Sequence, residues 1–301
     1  MYTKPLGDLI KRHGLDYHFY ADDTQLYIFL KRNDKDSHNA QLQRLENCLD
    51  AIASWMVTNR LKLNADKTEV MFFSPRNCQL QIDFSVCVNG VSTLPSNSLR
   101  NLGVVFDRSM TMDSHINSVT RACYMHLRNI GRIRRSITDE TAKFLVHGLI
   151  TSRLDYCNSL LHGLPDSSTW RLQRVQNMAA RIITRTKRSD HISPILQNLH
   201  WLPVKARIEY KLLLNVFNAT RLYGPSYLSE LVELYVPSTP LRSQSNHNLV
   251  VPFSKSRLGD RSFKVSGPKL FNELPEHIRT ANTVSTFRRS LKTFLFKKYL
   301  D

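Results

Sequence analysis

The stretch that most constrains this chain is Tyr17-His18-Phe19-Tyr20-Ala21-Asp22-Asp23-Thr24-Gln25-Leu26-Tyr27-Ile28-Phe29-Leu30. Residues that favour extended backbone lie on both sides of Ala21-Asp22-Asp23, so the pattern predicts a tight hairpin with both carboxylates at its tip. Carboxylates are costly to hold against so much apolar surface unless something pairs with them. A hard divalent cation is a natural partner, since Mg²⁺ prefers oxygen ligands and is usually held by one or two carboxylates. Such a pair can serve a two-metal phosphoryl-transfer site, with ions about 3.5–4 Å apart. The plainer alternative is that Asp22 and Asp23 are ordinary turn residues, a place Asp favours.

Charge narrows the partners. The 42 Lys and Arg outnumber the 25 Asp and Glu, for a net charge of +17. An excess of that size points to a polyanion, most simply nucleic acid, although it also suits a merely soluble basic surface. A length of 301 residues suggests two or three domains, and 42% hydrophobic residues argue for a globular chain. No long uncharged apolar run is present, and Met1-Tyr2-Thr3-Lys4-Pro5 does not read as a signal peptide. We therefore expect no membrane span and an intracellular protein of the nucleus or cytoplasm. Cys48, Cys78, Cys87, Cys123 and Cys157 are odd in number and lack a Cys-x-x-Cys pair, against a disulfide framework or a zinc knuckle.

Along the chain, Leu6, Leu9 and Ile10 predict a short helix ending near Gly14. Residues 37–60 predict an amphipathic helix capped by Ser37, with Leu42, Leu45, Leu49, Ile52 and Trp55-Met56 on its apolar face. Asn64 is a candidate to hold the following turn with its side chain. Ile82, Phe84, Val86 and Val88 alternate ahead of Asn89-Gly90, a strong hairpin signal. Residues 113–150 turn helical, with Asp113 or Ser114 as cap. Ile116, Val119, Cys123, Leu127, Ile130 and Ile133 form one face, and Arg121, Arg128, Arg132, Arg134 and Arg135 lie mostly elsewhere. Arg171, Arg174 and Arg181 stud a second basic helix over Arg171–Ile183, and Val284 to Tyr299 predict a terminal one.

The Tyr20-Ala21-Asp22-Asp23-Thr24-Gln25-Leu26-Tyr27 text resembles the catalytic box of reverse transcriptases, in the form of non-LTR (LINE-type, jockey- and CR1-like) retrotransposons. Two further stretches resemble the same family. Trp55 with Asn59-Arg60-Leu61-Lys62-Leu63-Asn64 and Lys67-Thr68-Glu69 looks like the lead into a palm strand at Val70 to Phe73. Leu102-Gly103-Val104 looks like the primer-grip strand, with Asn101 in place of the usual aromatic; Gly103 would permit close backbone approach. The Leu172-Gln173-Arg174-Val175-Gln176-Asn177 text is similar to the same elements.

The resemblance implies an α+β fold: a partial palm-type antiparallel sheet with packed helices over residues 1–110, a helical basic thumb over 111–190, and a helical and loop C-terminal region over 191–301. It implies RNA-directed DNA polymerisation with Mg²⁺ or Mn²⁺, an RNA template, a DNA primer and deoxynucleoside triphosphates. Asp22 and Asp23 would bind the metals. Lys67 would stand near the departing pyrophosphate, though it also reads as a solvated turn lysine. Tyr20, Ala21, Leu102 and Gly103 would meet the primer, and Arg121, Arg128, Arg132, Arg135, Arg171, Arg174 and Arg181 the nucleic-acid backbone. The family's first catalytic aspartate has no counterpart in this sequence, which implies a chain inactive by itself; the alternative is a nucleic-acid-binding remnant without catalysis.

Overall fold

The computed structural model describes residues 4–31, 34–74, 84–236 and 247–300. The chain divides into two compact units, Met1–Leu99 and Arg100–Asp301.

In the first unit, helix α1 (Lys4–Arg12) leads into a hairpin of β1 (Asp16–Tyr20) and β2 (Asp23–Tyr27). The strands pair antiparallel from Asp16 with Tyr27 to Tyr20 with Asp23. Alternation turns Tyr17 and Phe19 inward, while Asp16, His18 and Tyr20 face out. The inward side chains join Leu6, Ile10, Leu15, Cys48 and Ile52 in a small core. Gly7 makes that packing possible: a side chain there would begin 2.3 Å from the Tyr17 hydroxyl. Helix α2 (Lys35–Thr58) covers the core with Leu45, Cys48, Ile52, Trp55 and Met56. Its cap is Asp34, whose carboxylate accepts from the Ser37 N–H at 2.9 Å, and not Ser37 itself. Asp34 directly precedes the first turn, where its carboxylate reaches the N–H of the third helical residue and suits the positive end of the helix dipole.

The remaining strands are short. Val70–Met71 (β3) pairs in parallel with Pro95–Ser96 (β6), and Val86–Val88 (β4) pairs antiparallel with Val91–Thr93 (β5) around Asn89-Gly90. Both turn residues take left-handed backbone, φ 49 and 80°, as that dipeptide favours. The Cys87 N–H donates to the Glu46 carboxylate at 2.9 Å, tying β4 to α2. Ile82 and Cys78 lie outside the described residues. Ser98–Asn101 (β7) pairs with Val104–Asp107 (β8). Among the described residues the strands form four two-stranded ladders.

The second unit is helical: α3 (Asp113–Ile133), α4 (Asp139–Val146), α5 (Asp166–Thr184), α6 (Val204–Thr220), α7 (Phe263–Asn272) and α8 (Val284–Leu300), with shorter helices between. One cluster gathers Ile116, Cys123, Leu127 and Ile130 of α3 with Leu172, Val175, Ala179 and Ile183 of α5. A second gathers Leu213, Val216 and Phe217 of α6 with Phe271, Ile278, Phe287 and Leu291. Phe217 and Phe287 stack with centroids 4.1 Å apart. Neither Asp113 nor Ser114 caps α3. The chain enters it through Met112 at φ 61°, and Asp107 organises the entry, its carboxylate accepting from the N–H groups of Ser109, Thr111 and Met112 at 3.2, 2.9 and 2.7 Å. No helix among the described residues is long and apolar enough to cross a membrane.

Candidate active site and nucleic-acid interface

The turn joining β1 to β2 consists of Ala21 and Asp22, with Asp23 opening β2. Ala21 sits at φ 54°, a conformation that costs an L-residue about 1–2 kcal/mol. The register therefore places two successive carboxylates at the apex, both exposed. Neither makes a hydrogen bond or ion pair among the described residues. Tyr20 stands beside them, 59% exposed. No group of three or more His, Cys, Asp or Glu side chains suited to a metal occurs among the described residues. The donor set at the apex is thus two oxygen-bearing, unpaired carboxylates, which fits Mg²⁺ or Mn²⁺ sharing its remaining positions with water and substrate phosphates.

Lys67 ends a single 3₁₀ turn, Ala65–Lys67, and is exposed. No bond joins it to Asp22 or Asp23 among the described residues. The Asn64 side chain does not hold this turn; its backbone carbonyl does, accepting from the Thr68 hydroxyl at 3.0 Å and the Lys67 N–H at 3.2 Å.

In the second unit, Leu102 and Gly103 form the two-residue turn between β7 and β8, with φ 45 and 81°. The space that glycine leaves is filled from within the chain: a side chain there would meet the Tyr156 ring at 3.4 Å. The Tyr156 hydroxyl donates to the Leu102 carbonyl at 2.6 Å. On the other strand, the Val105 N–H faces Nδ1 of buried His115 at 3.4 Å. Burial pushes the His115 pKa down and the nearby Arg100 lowers it further, which favours the neutral ring that can accept.

The arginines of α3 divide by geometry. At about 100° per residue, Arg121, Arg128 and Arg132 fall on one stripe with Met125, opposite Ile116, Cys123, Leu127 and Ile130. All three are exposed and carry no partner among the described residues, as does Arg135 just beyond the helix. Arg134 is the reverse. It is buried and donates to the carbonyls of Ile182 (2.7 Å), Ile183 (2.8 Å) and Ile137 (3.0 Å), closing the C-terminal end of α5, and it also pairs with Asp139.

On α5, Arg174 is exposed and without a partner among the described residues. Arg171 is occupied by Asp113, Asn117 (2.7 Å) and Ser168. Arg181 donates to the carbonyls of Lys187 (3.2 Å) and Asp190 (3.1 Å). The Arg171 and Arg134 bonds tie N-end to N-end and C-end to C-end, so α3 and α5 run in the same direction. For parallel neighbours, the rotation from these ties to each basic stripe has opposite sense on the two helices. The Arg121–Arg132 stripe and the Arg174–Met178–Arg181 stripe therefore open on one side of the pair.

The sequence assigns no role to Tyr156 or Asp107, and it places Arg134 with the basic residues off the apolar face of the helix, whereas the structure buries it. Tyr156 lies 54 positions from its partner, and Arg134 is one of a run of arginines that only depth tells apart.

No protein-family model and no solved structure matches the chain. It is 25% identical over 168 residues to the "Probable RNA-directed DNA polymerase from transposon BS" of Drosophila melanogaster, a match covering 55% of this chain and 18% of that protein. The chain is thus related to a transposon-encoded RNA-directed DNA polymerase, the relationship that the Tyr20–Tyr27 box implies.

Proposed function

We propose that this chain carries the carboxylate hairpin and the duplex grip of a non-LTR retrotransposon reverse transcriptase. The observation that carries the reading is the β1–β2 apex, where Asp22 and Asp23 stand exposed and unpaired beside a strained Ala21. Backbone strain of this kind clusters at functional sites, where the surrounding structure maintains it.

In this reading Asp22 and Asp23 hold Mg²⁺ or Mn²⁺, which when bound stabilises the attacking and leaving oxygens of nucleotidyl transfer. The hairpin holds the two residues together at one apex, so the backbone need not rearrange to present both carboxylates. Tyr20 and Ala21 shape the apex toward a primer 3′-hydroxyl. Lys67 offsets the charge of departing pyrophosphate. Arg121, Arg128, Arg132, Arg135 and Arg174 neutralise phosphates of an RNA–DNA duplex, with no base readout required. Arg171 and Arg181 support the two-helix face through their bonds inside the chain. A second reading, nucleic-acid binding without catalysis, draws on the lack of a third carboxylate grouped with the pair among the described residues.

The test of the grip is the salt dependence of duplex binding. Each lost phosphate contact lowers the slope of log affinity against log salt by about 0.9. Replacing Arg121, Arg128 and Arg132 with alanine should reduce it by roughly 3. An unchanged slope would remove this face from the interface.

A further inference from the structure

We infer that Trp170 and Arg174 together hold an unpaired nucleotide, the ring stacking on its base and the guanidinium meeting its phosphate. The α3–α5 face then binds a duplex that carries a single-stranded extension more tightly than a blunt one. The inference rests on the proposed reading that this face meets nucleic acid.

The three tryptophans of the chain have different surroundings. Trp201 is 7% exposed, and Trp55 packs against the core of the first unit. Trp170 is 59% exposed and makes no ring contact or hydrogen bond among the described residues. An indole so placed adds little to the packing of its own chain, whereas tryptophan is enriched at interfaces, where its apolar body and polar tip both find use. At about 100° per residue, Trp170 lies within about 40° of Arg174 and Arg181 on α5, opposite Leu172, Val175 and Ala179. Arg174 follows one turn later, about 6 Å along the helix axis. The ring therefore heads the basic stripe of α5.

The charges around the ring select its partner. The acids within α3 and α5 are Asp113 and Asp166 alone. Arg171 binds Asp113, and Lys205 pairs with Asp166 at 3.1 Å. Arg121, Arg128, Arg132 and Arg174 stay exposed and without a partner among the described residues. The face is thus a positive field with an aromatic ring at one end, complementary to a polyanion that carries flat apolar groups. An apolar protein surface docked there would bury those guanidinium groups unpaired, at high cost. Within a duplex the faces of the bases are covered by their neighbours, so an exposed ring stacks on a base that is splayed out of pairing. Such stacking tolerates any sequence, because every base has a π face.

The test uses the full chain and two RNA–DNA duplexes that are identical except for an unpaired extension of about ten nucleotides on one. The wild type should favour the extended duplex. Trp170→Ala should weaken binding of the extended duplex by roughly five- to hundredfold and leave the blunt duplex unchanged. Trp170→Phe, which keeps a ring, should recover most of that loss. Trp170→Ala removes no phosphate contact and should leave the salt slope on the extended duplex as it is, whereas Arg174→Ala should lower it by about 0.7. A wild type that binds both duplexes alike, an equal Trp170→Ala loss on both, or a Trp170→Phe loss as large as that of Trp170→Ala overturns the stacking while the duplex grip stands. An unchanged slope in Arg174→Ala overturns the phosphate contact. Binding of the extended duplex alone supports the stacking and overturns the duplex grip, and binding of neither overturns both.

Discussion

Two hairpins of this chain, one in each unit's share of sequence, turn on two residues and force a residue other than glycine into left-handed backbone: Ala21 at φ 54° and Leu102 at φ 45°. They differ in what holds them. The Leu102 tip is secured by the Tyr156 hydroxyl and by His115 on the strand behind it. The Ala21 tip carries two carboxylates that find no partner among the described residues. A third hairpin, at Asn89-Gly90, supplies the reference, since there the turn residues suit their conformation and need no support. Strain with a visible holder is architecture. Strain beside two unpaired carboxylates is the observation from which the proposed metal site is argued.

The two tips should differ most at the carboxylates. In any preparation where this chain supports primer extension on an RNA template with Mg²⁺ or Mn²⁺, Asp22→Ala with Asp23→Ala should abolish extension. Stability, followed by urea unfolding, should move by no more than about 0.5 kcal/mol, as expected for exposed side chains. Extension that survives would return both residues to the status of ordinary turn residues.

The turn residues themselves should respond with opposite signs. Gly103→Ala adds a side chain against Tyr156 at φ 81° and should destabilise by about 1–2 kcal/mol. Ala21→Gly relieves a left-handed alanine and should stabilise by at most about 1 kcal/mol, because glycine's greater chain entropy offsets part of the gain. A destabilising Ala21→Gly would show that the first tip is not strained.

Acid should separate the hairpins by a smaller margin. The folded-state pKa of His115 is depressed by burial and by Arg100, so the unfolded chain takes up the proton first. The contribution of His115 is therefore complete well above the ordinary value of 6.5 and is lost as pH falls below it. A protonated ring cannot accept from the Val105 N–H. Amide exchange, corrected for its intrinsic pH dependence, should rise in the second hairpin and not in the first between pH 7 and 5. Equal responses would sink the assignment to His115.

Features that depend on near neighbours are legible in the chain. The β1–β2 turn, the Asn89-Gly90 hairpin and helices α2, α3, α5 and α8 follow from periodicity and turn chemistry over a few residues. The paired carboxylates were legible for the same reason, because Ala21-Asp22-Asp23 interrupts two extended runs and needs no distant partner to reach the apex. Which polar groups are already engaged depends on contacts that folding makes between distant residues. Gly7 is a helix residue until Tyr17 folds onto it. Arg134 and Arg135 are adjacent and alike in sequence, yet one is buried closing the end of α5 and the other faces solvent. Arg171 matched Arg174 in sequence until Asp113 and Asn117 claimed it. Tyr156 carried no signal at all. A hydrogen bond across 54 residues leaves no period in the chain, and a side chain's freedom to bind depends on depth and on partners that only folding brings within reach.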